Sequence, residues 1–124
     1  MKRRRKKLYK TKRAKATDIP KKVKDKVWQR DHERCIYCGS RCAMPNAHAL
    51  LSREQGGLGV EKNIVTLCMH CHRMYDQGSN EQKKAYALKV GRPVIDDFIK
   101  AYLESIYEEI SIDEIKYRPL WQTR

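Results

Sequence analysis

Long apolar runs are absent from this chain of 124 residues, so no transmembrane helix is expected. No apolar export signal follows Met1, and we therefore expect a cytoplasmic protein. Internal repeats and a second compact domain are also missing, and the length suits one small domain with tails. A core of this size often depends on a metal or on disulfides for its stability.

Cysteine occurs five times, an odd number that fits a secreted disulfide scaffold poorly. Four of the five form two Cys-x-x-Cys pairs, Cys35/Cys38 and Cys68/Cys71. Four thiolates in two such pairs are typical of a tetrahedral zinc site without an open coordination position, which makes the zinc structural. A redox dithiol is the competing interpretation, but the βαβ context expected for it is missing. Cys42 is left over, and we interpret it as an adventitious or partly buried thiol.

Acidic residues are absent from residues 1–17, which hold ten lysines and arginines. The other 18 basic residues nearly balance the 15 acidic ones, so this segment supplies most of the net charge of +13. Such a block favours phosphate contacts with nucleic acid. A solvated tail that only aids solubility is the alternative. We predict that residues 1–17 are a basic disordered tail and that DNA is a partner.

Hydrophobic spacing outside the cysteine pairs predicts helices. Residues 20–31 are amphipathic, and residues 94–109 place Ile95, Phe98, Ile99, Tyr102, Leu103 and Ile106 in one core-facing stripe. The tract Ser79-Asn80-Glu81-Gln82 resembles a capping box and predicts a helix over residues 80–90. Residues 111–124 are predicted to dock as a final segment through Tyr117, Leu120 and Trp121.

The segment between the cysteine pairs predicts a hairpin. Residues 46–51 and 62–67 are predicted strands on either side of a glycine-rich loop at residues 56–59. A short helix is predicted from Cys71 to about Asp76, ended by Gly78. The order of strand, loop, strand and helix predicts an α+β fold.

Three polar residues are candidates for chemistry on this frame. His48 alone is more often structural, Asn63 alone can stabilise a turn, and His72 alone can replace Cys71 as a zinc ligand. Their joint position has more value, because phosphodiester hydrolysis needs a base and a charge-stabilising cation. Imidazole suits either role.

Several short motifs follow one another over roughly residues 21–78. They are Arg30-Asp31, Cys35-x-x-Cys38-Gly39, Ala47-His48, Gly56-Gly57 and Asn63-Ile64-Val65-Thr66-Leu67-Cys68-x-x-Cys71-His72. This pattern resembles the HNH nuclease family, and the tract Gly56-Gly57-Leu58-Gly59 looks most like the small HNH proteins of phages and prophages. The resemblance implies a treble-clef-like ββα-metal core stapled by zinc, with additional N- and C-terminal helices. It places an HNH nuclease domain at residues 18–124, with the core at 21–78 and a C-terminal helical extension at 79–124.

The resemblance also implies an activity, metal-dependent DNA endonuclease, in a bacterial or phage-infected cell. His72 is then a ligand of a catalytic Mg²⁺, Mn²⁺ or other divalent cation, and Asn63 orients the active-site loop. A packaging role beside phage terminase is compatible with this activity. The alternative function is a non-catalytic zinc module that binds nucleic acid.

The general base has two alternative positions. Family members commonly carry a pair of residues at the end of the first strand, first a metal ligand and then the base. Counting seven residues back from Gly56 places the base at Ala49, which leaves His48 as a metal ligand and the base absent. Such a chain is disabled by a natural or an engineered replacement. A one-residue insertion in the loop instead makes His48 the base. We prefer the first register at this stage.

Overall fold

The computed structural model describes residues 11–119, and residues 1–10 and 120–124 lie outside it. The described part contains a two-stranded antiparallel sheet with helices before and after it in the chain, which confirms the predicted α+β class. In chain order the elements are α1 (Lys12–Thr17), α2 (Lys21–Arg30), β1 (Ala43–His48), β2 (Ile64–Cys68), α3 (Met69–Gln77), α4 (Asn80–Val90), α5 (Ile95–Ile106) and α6 (Ile112–Ile115). Between residues 11 and 119, no helix is long and apolar enough to cross a membrane.

The two strands form a hairpin that places the metal-ligand motif at one end and a histidine at the other. Their pairing runs from Ala43 opposite Cys68 to His48 opposite Ile64. The register shifts just after Pro45. Proline has no amide hydrogen to donate to the ladder, so an irregularity at this point is expected. Because β2 continues directly into α3, the hairpin and α3 form the ββα unit that the sequence predicts.

The hydrophobic core joins the hairpin to the C-terminal helices. All five residues of β2 are buried. Helix α5 buries Ile95, Ile99 and Leu103, which belong to the same cluster as Tyr37 and Leu67. Burial of each large aliphatic side chain stabilises the fold by about 1.5–3 kcal/mol. The C-terminal extension is therefore part of the core and not a separate appendage.

A buried ion pair fixes the end of α2 against the sheet. The Arg30 guanidinium donates to both carboxylate oxygens of Asp31, at 2.8 and 3.1 Å, and to the carbonyl of Ile64 at 2.7 Å. Asp31 also accepts the N–H of Thr66 at 2.8 Å and the hydroxyl of Tyr102 at 2.7 Å. These two adjacent residues thus tie α2, β2 and α5 together.

Several predicted elements are confirmed at or near their predicted bounds. Helix α2 lies within residues 20–31, and α3 contains the predicted short helix and ends at Gln77, just before Gly78. Helix α4 occupies residues 80–90 with both hydrogen bonds of the capping box between Ser79 and Gln82. Strand β2 begins at Ile64, two residues after its predicted start, and ends at Cys68, one residue after its predicted end.

Other predictions need correction. Strand β1 ends at His48 and not at residue 51, because the amides of Leu50 and Leu51 donate to a side chain instead of a strand. Helix α5 ends at Ile106, whose side chain is 41% exposed and does not belong to the core stripe. Within the segment predicted as a basic disordered tail, residues 12–17 form α1, and residues 1–10 lie outside the described residues. The predicted contacts of Leu120 and Trp121 lie outside the described residues.

Candidate functional site

The first half of the cysteine site is a knuckle between α2 and β1. The N–H of Gly39 donates to the carbonyl of Cys35 at 3.0 Å, and Gly39 has a φ of +82°. That left-handed conformation suits glycine because it has no Cβ. The N–H of Ile36 donates to Thr66 of β2 at 3.1 Å, which holds the knuckle beside the second cysteine pair.

The four predicted cysteines come together as one group. The sulfur atoms of Cys35, Cys38, Cys68 and Cys71 all lie within 4.8 Å of one another. The sulfurs of Cys38 and Cys68 are 3.6 Å apart. A Zn–S bond of about 2.3 Å gives a tetrahedral S···S edge of about 3.8 Å, so the spacing fits zinc. The group is thus positioned to hold a metal, and Cys71, not His72, supplies the fourth ligand position.

The thiols of the cluster differ in their electrostatics: the pKa of Cys35 is lowered, whereas burial raises the pKa of Cys38, and the hydrogen bond with Cys35 together with burial raises the pKa of Cys71. A hydrogen bond with Cys71 lowers the pKa of Cys35, against the opposing effect of burial. Backbone N–H groups of Cys38 and Cys68 lower the pKa of Cys35 further. The thiolate is the form of cysteine that binds metals. Cys42, in contrast, is exposed and stands outside the group.

His48 lies at the end of β1, half-buried beside helix α1. Its Nε2 atom is 2.6 Å from the carbonyl oxygen of Thr17. Burial lowers the pKa of His48, and the nearby charge of Arg53 lowers it further, although the Thr17 carbonyl opposes this change. The imidazole is therefore mainly neutral at neutral pH.

His72 lies on the first turns of α3, opposite His48. Its Nε2 atom is 3.2 Å from a carboxylate oxygen of Asp76, one helical turn later. A cleft of about 400 Å³ separates the two histidines, and its lining includes His48, Arg53, Glu54, His72 and Asp76. The cleft thus combines two imidazoles and two carboxylates, the nitrogen and oxygen donors that many divalent cations accept.

Asn63 organises the loop that follows His48. Its side chain is fully buried and accepts the amides of Leu50 and Leu51, both at 2.9 Å. It donates to the carbonyls of Leu51 and Leu58, at 3.0 and 3.1 Å. One side chain therefore satisfies four backbone groups across the loop.

Ala49 has a different environment from His48. Its side chain is 6% exposed and belongs to the hydrophobic core cluster. Its amide donates to the carbonyl of Asn63 at 2.6 Å, and its carbonyl accepts from the hydroxyl of Tyr75. The methyl group is packed in the core, and Ala49 does not line the cleft.

Sequence reasoning missed several residues of the cleft, among them Arg53, Glu54 and Asp76, and it missed the Thr17 carbonyl that contacts His48. Asp76 could have been predicted from the sequence, because residues four apart on a helix share a face and His72 was already a candidate. The Thr17 carbonyl could not, because it is a backbone atom 31 residues away from His48 in the chain.

Comparison with known proteins finds similarity over part of the chain. Residues 35–78 match the family model described as HNH endonuclease. "Anaredoxin" from Nostoc sp. (strain PCC 7120 / SAG 25.82 / UTEX 2576) is 29% identical over 58 residues, which are 47% of this chain and 76% of that protein. No solved structure matches the chain. The resemblance to the HNH endonuclease family is confirmed over a segment that holds every predicted site residue.

Proposed function

We propose that this chain is a metal-dependent endonuclease that hydrolyses phosphodiester bonds of DNA. The observation that carries the proposal is the cleft in which His48 from β1 faces His72 and Asp76 from α3. One structural Zn²⁺ at the four cysteines holds these elements together. One Mg²⁺, Mn²⁺ or other divalent cation belongs to the cleft.

The proton acceptor in this proposal is Nδ1 of His48. A backbone carbonyl has no hydrogen to give, so the bond between Nε2 and Thr17 requires a proton on Nε2. A neutral imidazole carries only one proton, and Nδ1 is then free to accept one from water. The lowered pKa of His48 supports the neutral form.

His72 and Asp76 are the proposed ligands of the cleft cation. Their donor atoms lie 3.2 Å apart, and both side chains are accessible, at 30% and 54% exposure. When bound, a divalent cation stabilises negative charge on the phosphate and on the leaving oxygen. Glu54 also lines the cleft and offers a further carboxylate.

The packing of Ala49 supports the register in which His48 is the base. An imidazole at position 49 needs space that the core cluster occupies. The competing register, with His48 as a metal ligand and the base lost at Ala49, stays a prediction for experiment. A phage origin and a packaging role beside terminase also stay predictions.

DNA is the proposed substrate because positive charge concentrates in the N-terminal segment. Ten basic residues lie within residues 1–17, and such a block of charge favours phosphate contacts. The exposed Lys21, Lys22, Lys24 and Lys26 of α2 extend the basic surface along the chain. This arrangement provides affinity for phosphates without base-specific readout.

Plasmid nicking tests the proposal. The full chain is assayed with Mg²⁺, Mn²⁺, Ni²⁺ or Zn²⁺ and with a chelator control, beside His48→Gln, His72→Ala and Ala49→His. We expect metal-dependent nicking by the parent, a loss of about 10²–10⁴-fold for His48→Gln, and partial rescue of His72→Ala at high Mn²⁺. A large gain for Ala49→His, with the folded state and zinc content unchanged, favours the register with the lost base.

The second candidate is a non-catalytic zinc module that binds nucleic acid. One observation favours it: across residues 11–119, only the four cysteines form a preassembled metal-binding group. In this case the parent and Ala49→His both bind DNA, and neither nicks it with any of the four metals. DNA binding without nicking would contradict the nuclease proposal.

A further inference from the structure

Helix α1 contacts His48, one of the residues that line the cleft, although the helix precedes the segment that matches the family. Its last residue, Thr17, is buried, and the Thr17 carbonyl is the hydrogen-bond partner of His48 Nε2 at 2.6 Å. The helix is short, and Thr11 caps its first turn by accepting the N–H of Ala14. An isolated helix of six residues is not stable in water. Contacts with the rest of the protein must therefore hold it in place.

Besides the contact with His48, further contacts join α1 and the residue after it to the loop that follows β1. The guanidinium of Arg13 donates to the carbonyl of Glu54 at 2.5 Å. The N–H of Gly59 donates to the carbonyl of Ala16 at 3.0 Å. Arg53 pairs with Asp18 at 2.9 Å, just beyond the end of the helix. The four hydrogen bonds of the buried Asn63 side chain also hold this loop.

The junction between α1 and the loop is closely packed. A Cβ atom added to Gly59 would lie 1.9 Å from the carbonyl oxygen of Asp18, which is far inside van der Waals contact. Because the obstructing atom is backbone, α1 or the loop must move to accept any side chain there. Glycine at position 59 is thus what lets the end of α1 approach the cleft.

We propose that α1 is a positioning element of the cleft, and that its terminal carbonyl at Thr17 holds His48 in the tautomer with a proton on Nε2. The loop contacts of Arg13 and Gly59 maintain that carbonyl in place. The role of this tautomer in catalysis rests on the proposed function, whereas its presence in the folded protein is independent of that function. The functional unit therefore begins within α1, ahead of the boundary at residue 18 that the sequence predicts.

Nitrogen NMR of the zinc-loaded full chain, labelled with ¹⁵N-histidine and without added catalytic cation, tests this directly. Loss of signals in His48→Gln assigns the His48 imidazole among the four histidines. Arg13→Ala removes the loop contact, and Gly59→Ala forces the junction apart. Arg41→Ala is the matched control, because it removes an exposed guanidinium at the opposite end of β1.

We expect a protonated Nε2 and a bare Nδ1 in the parent and in Arg41→Ala. Arg13→Ala and Gly59→Ala should instead show averaged shifts from both tautomers. In nicking assays their kcat should fall about ten- to hundredfold, because a misplaced base keeps only part of the about 10²–10⁴-fold that a positioned base contributes. Arg41→Ala should retain the kcat of the parent.

A fixed Nε2–H tautomer in both folded variants would overturn the proposal, and so would an equal effect of Arg41→Ala. If Gly59→Ala does not fold, Arg13→Ala alone decides between these outcomes. Absence of nicking by the parent counts against the proposed function only, because the tautomer measurement needs no activity. The two failures are therefore distinguishable.

Discussion

The hydroxyl of Tyr86 lies 3.0 Å from the sulfur of Cys71, and this contact connects helix α4 to the cysteine cluster. Burial raises the pKa of Tyr86, and the hydrogen bond with Cys71 raises it further, so the phenol keeps its proton. A metal-bound thiolate carries no proton, and the phenol is then the donor. The C-terminal extension thus supplies an outer hydrogen bond to the metal centre.

Removal of this hydroxyl should weaken metal binding without unfolding the core. We expect Tyr86→Phe to lower zinc affinity by about 10–100-fold, the usual effect of losing an outer hydrogen bond to a ligand. Competition with a chromogenic chelator measures the change. Tyr117→Phe removes a hydroxyl from the segment that pairs with Gly56, and it should bind zinc like the parent. Equal affinities for both variants would contradict a role for Tyr86.

The cysteine cluster should hold one zinc ion per chain that is needed for folding. Cys38→Ser removes a ligand position, and because metal-binding energy is also folding energy, the variant should be unfolded or aggregated. Cys42→Ser is the matched control, since Cys42 is an exposed cysteine outside the cluster. Elemental analysis and circular dichroism give the readout. Iron in place of zinc would appear as visible absorbance and would refute the zinc assignment.

The ion pair of Arg30 and Asp31 should contribute far more to stability than a surface pair. Asp31→Asn leaves the Arg30 guanidinium, whose side chain is 12% exposed, without its charged partner, and such a loss costs about 3–5 kcal/mol. Asp25→Asn breaks the exposed pair with Lys21 and should cost less than about 1 kcal/mol. Urea unfolding of the zinc-loaded proteins measures both. Similar free energies of unfolding for the two variants would argue against a central role for the network.

The depressed pKa of His48 predicts a pH dependence of stability. An unfolded histidine titrates at about pH 6.5, and burial places the pKa of folded His48 below that value. As the pH falls from neutral through about 6.5, the unfolded chain binds a proton at His48 that the folded chain does not bind. The free energy of unfolding therefore decreases. His48→Gln should therefore lose less stability than the parent between about pH 7.5 and 5.5. The free energy of unfolding is measured with urea at each pH. An equal change with pH in the parent and in His48→Gln would contradict this expectation.

The sequence by itself determined the cysteine cluster and the bounds of α2 and α4, because these features depend on local spacing. Two Cys-x-x-Cys pairs fix ligand geometry within a few residues, and Ser79 with Gln82 marks the start of α4 through contacts one turn apart. The order of elements around the cysteines likewise predicted the ββα unit. These features need no knowledge of how distant segments meet.

Only the tertiary structure decided the environment of the cleft histidine. The surroundings of His48 depend on the Thr17 carbonyl, which no side-chain pattern encodes. The different burial of Ala49 and His48 follows from the end of strand pairing at His48 and from the loop bonds of Asn63. Likewise, the hydroxyl of Tyr86 reaches Cys71 because α4 folds back on α3. Chain segments far apart in sequence meet at these points, and their packing sets the direction of each side chain.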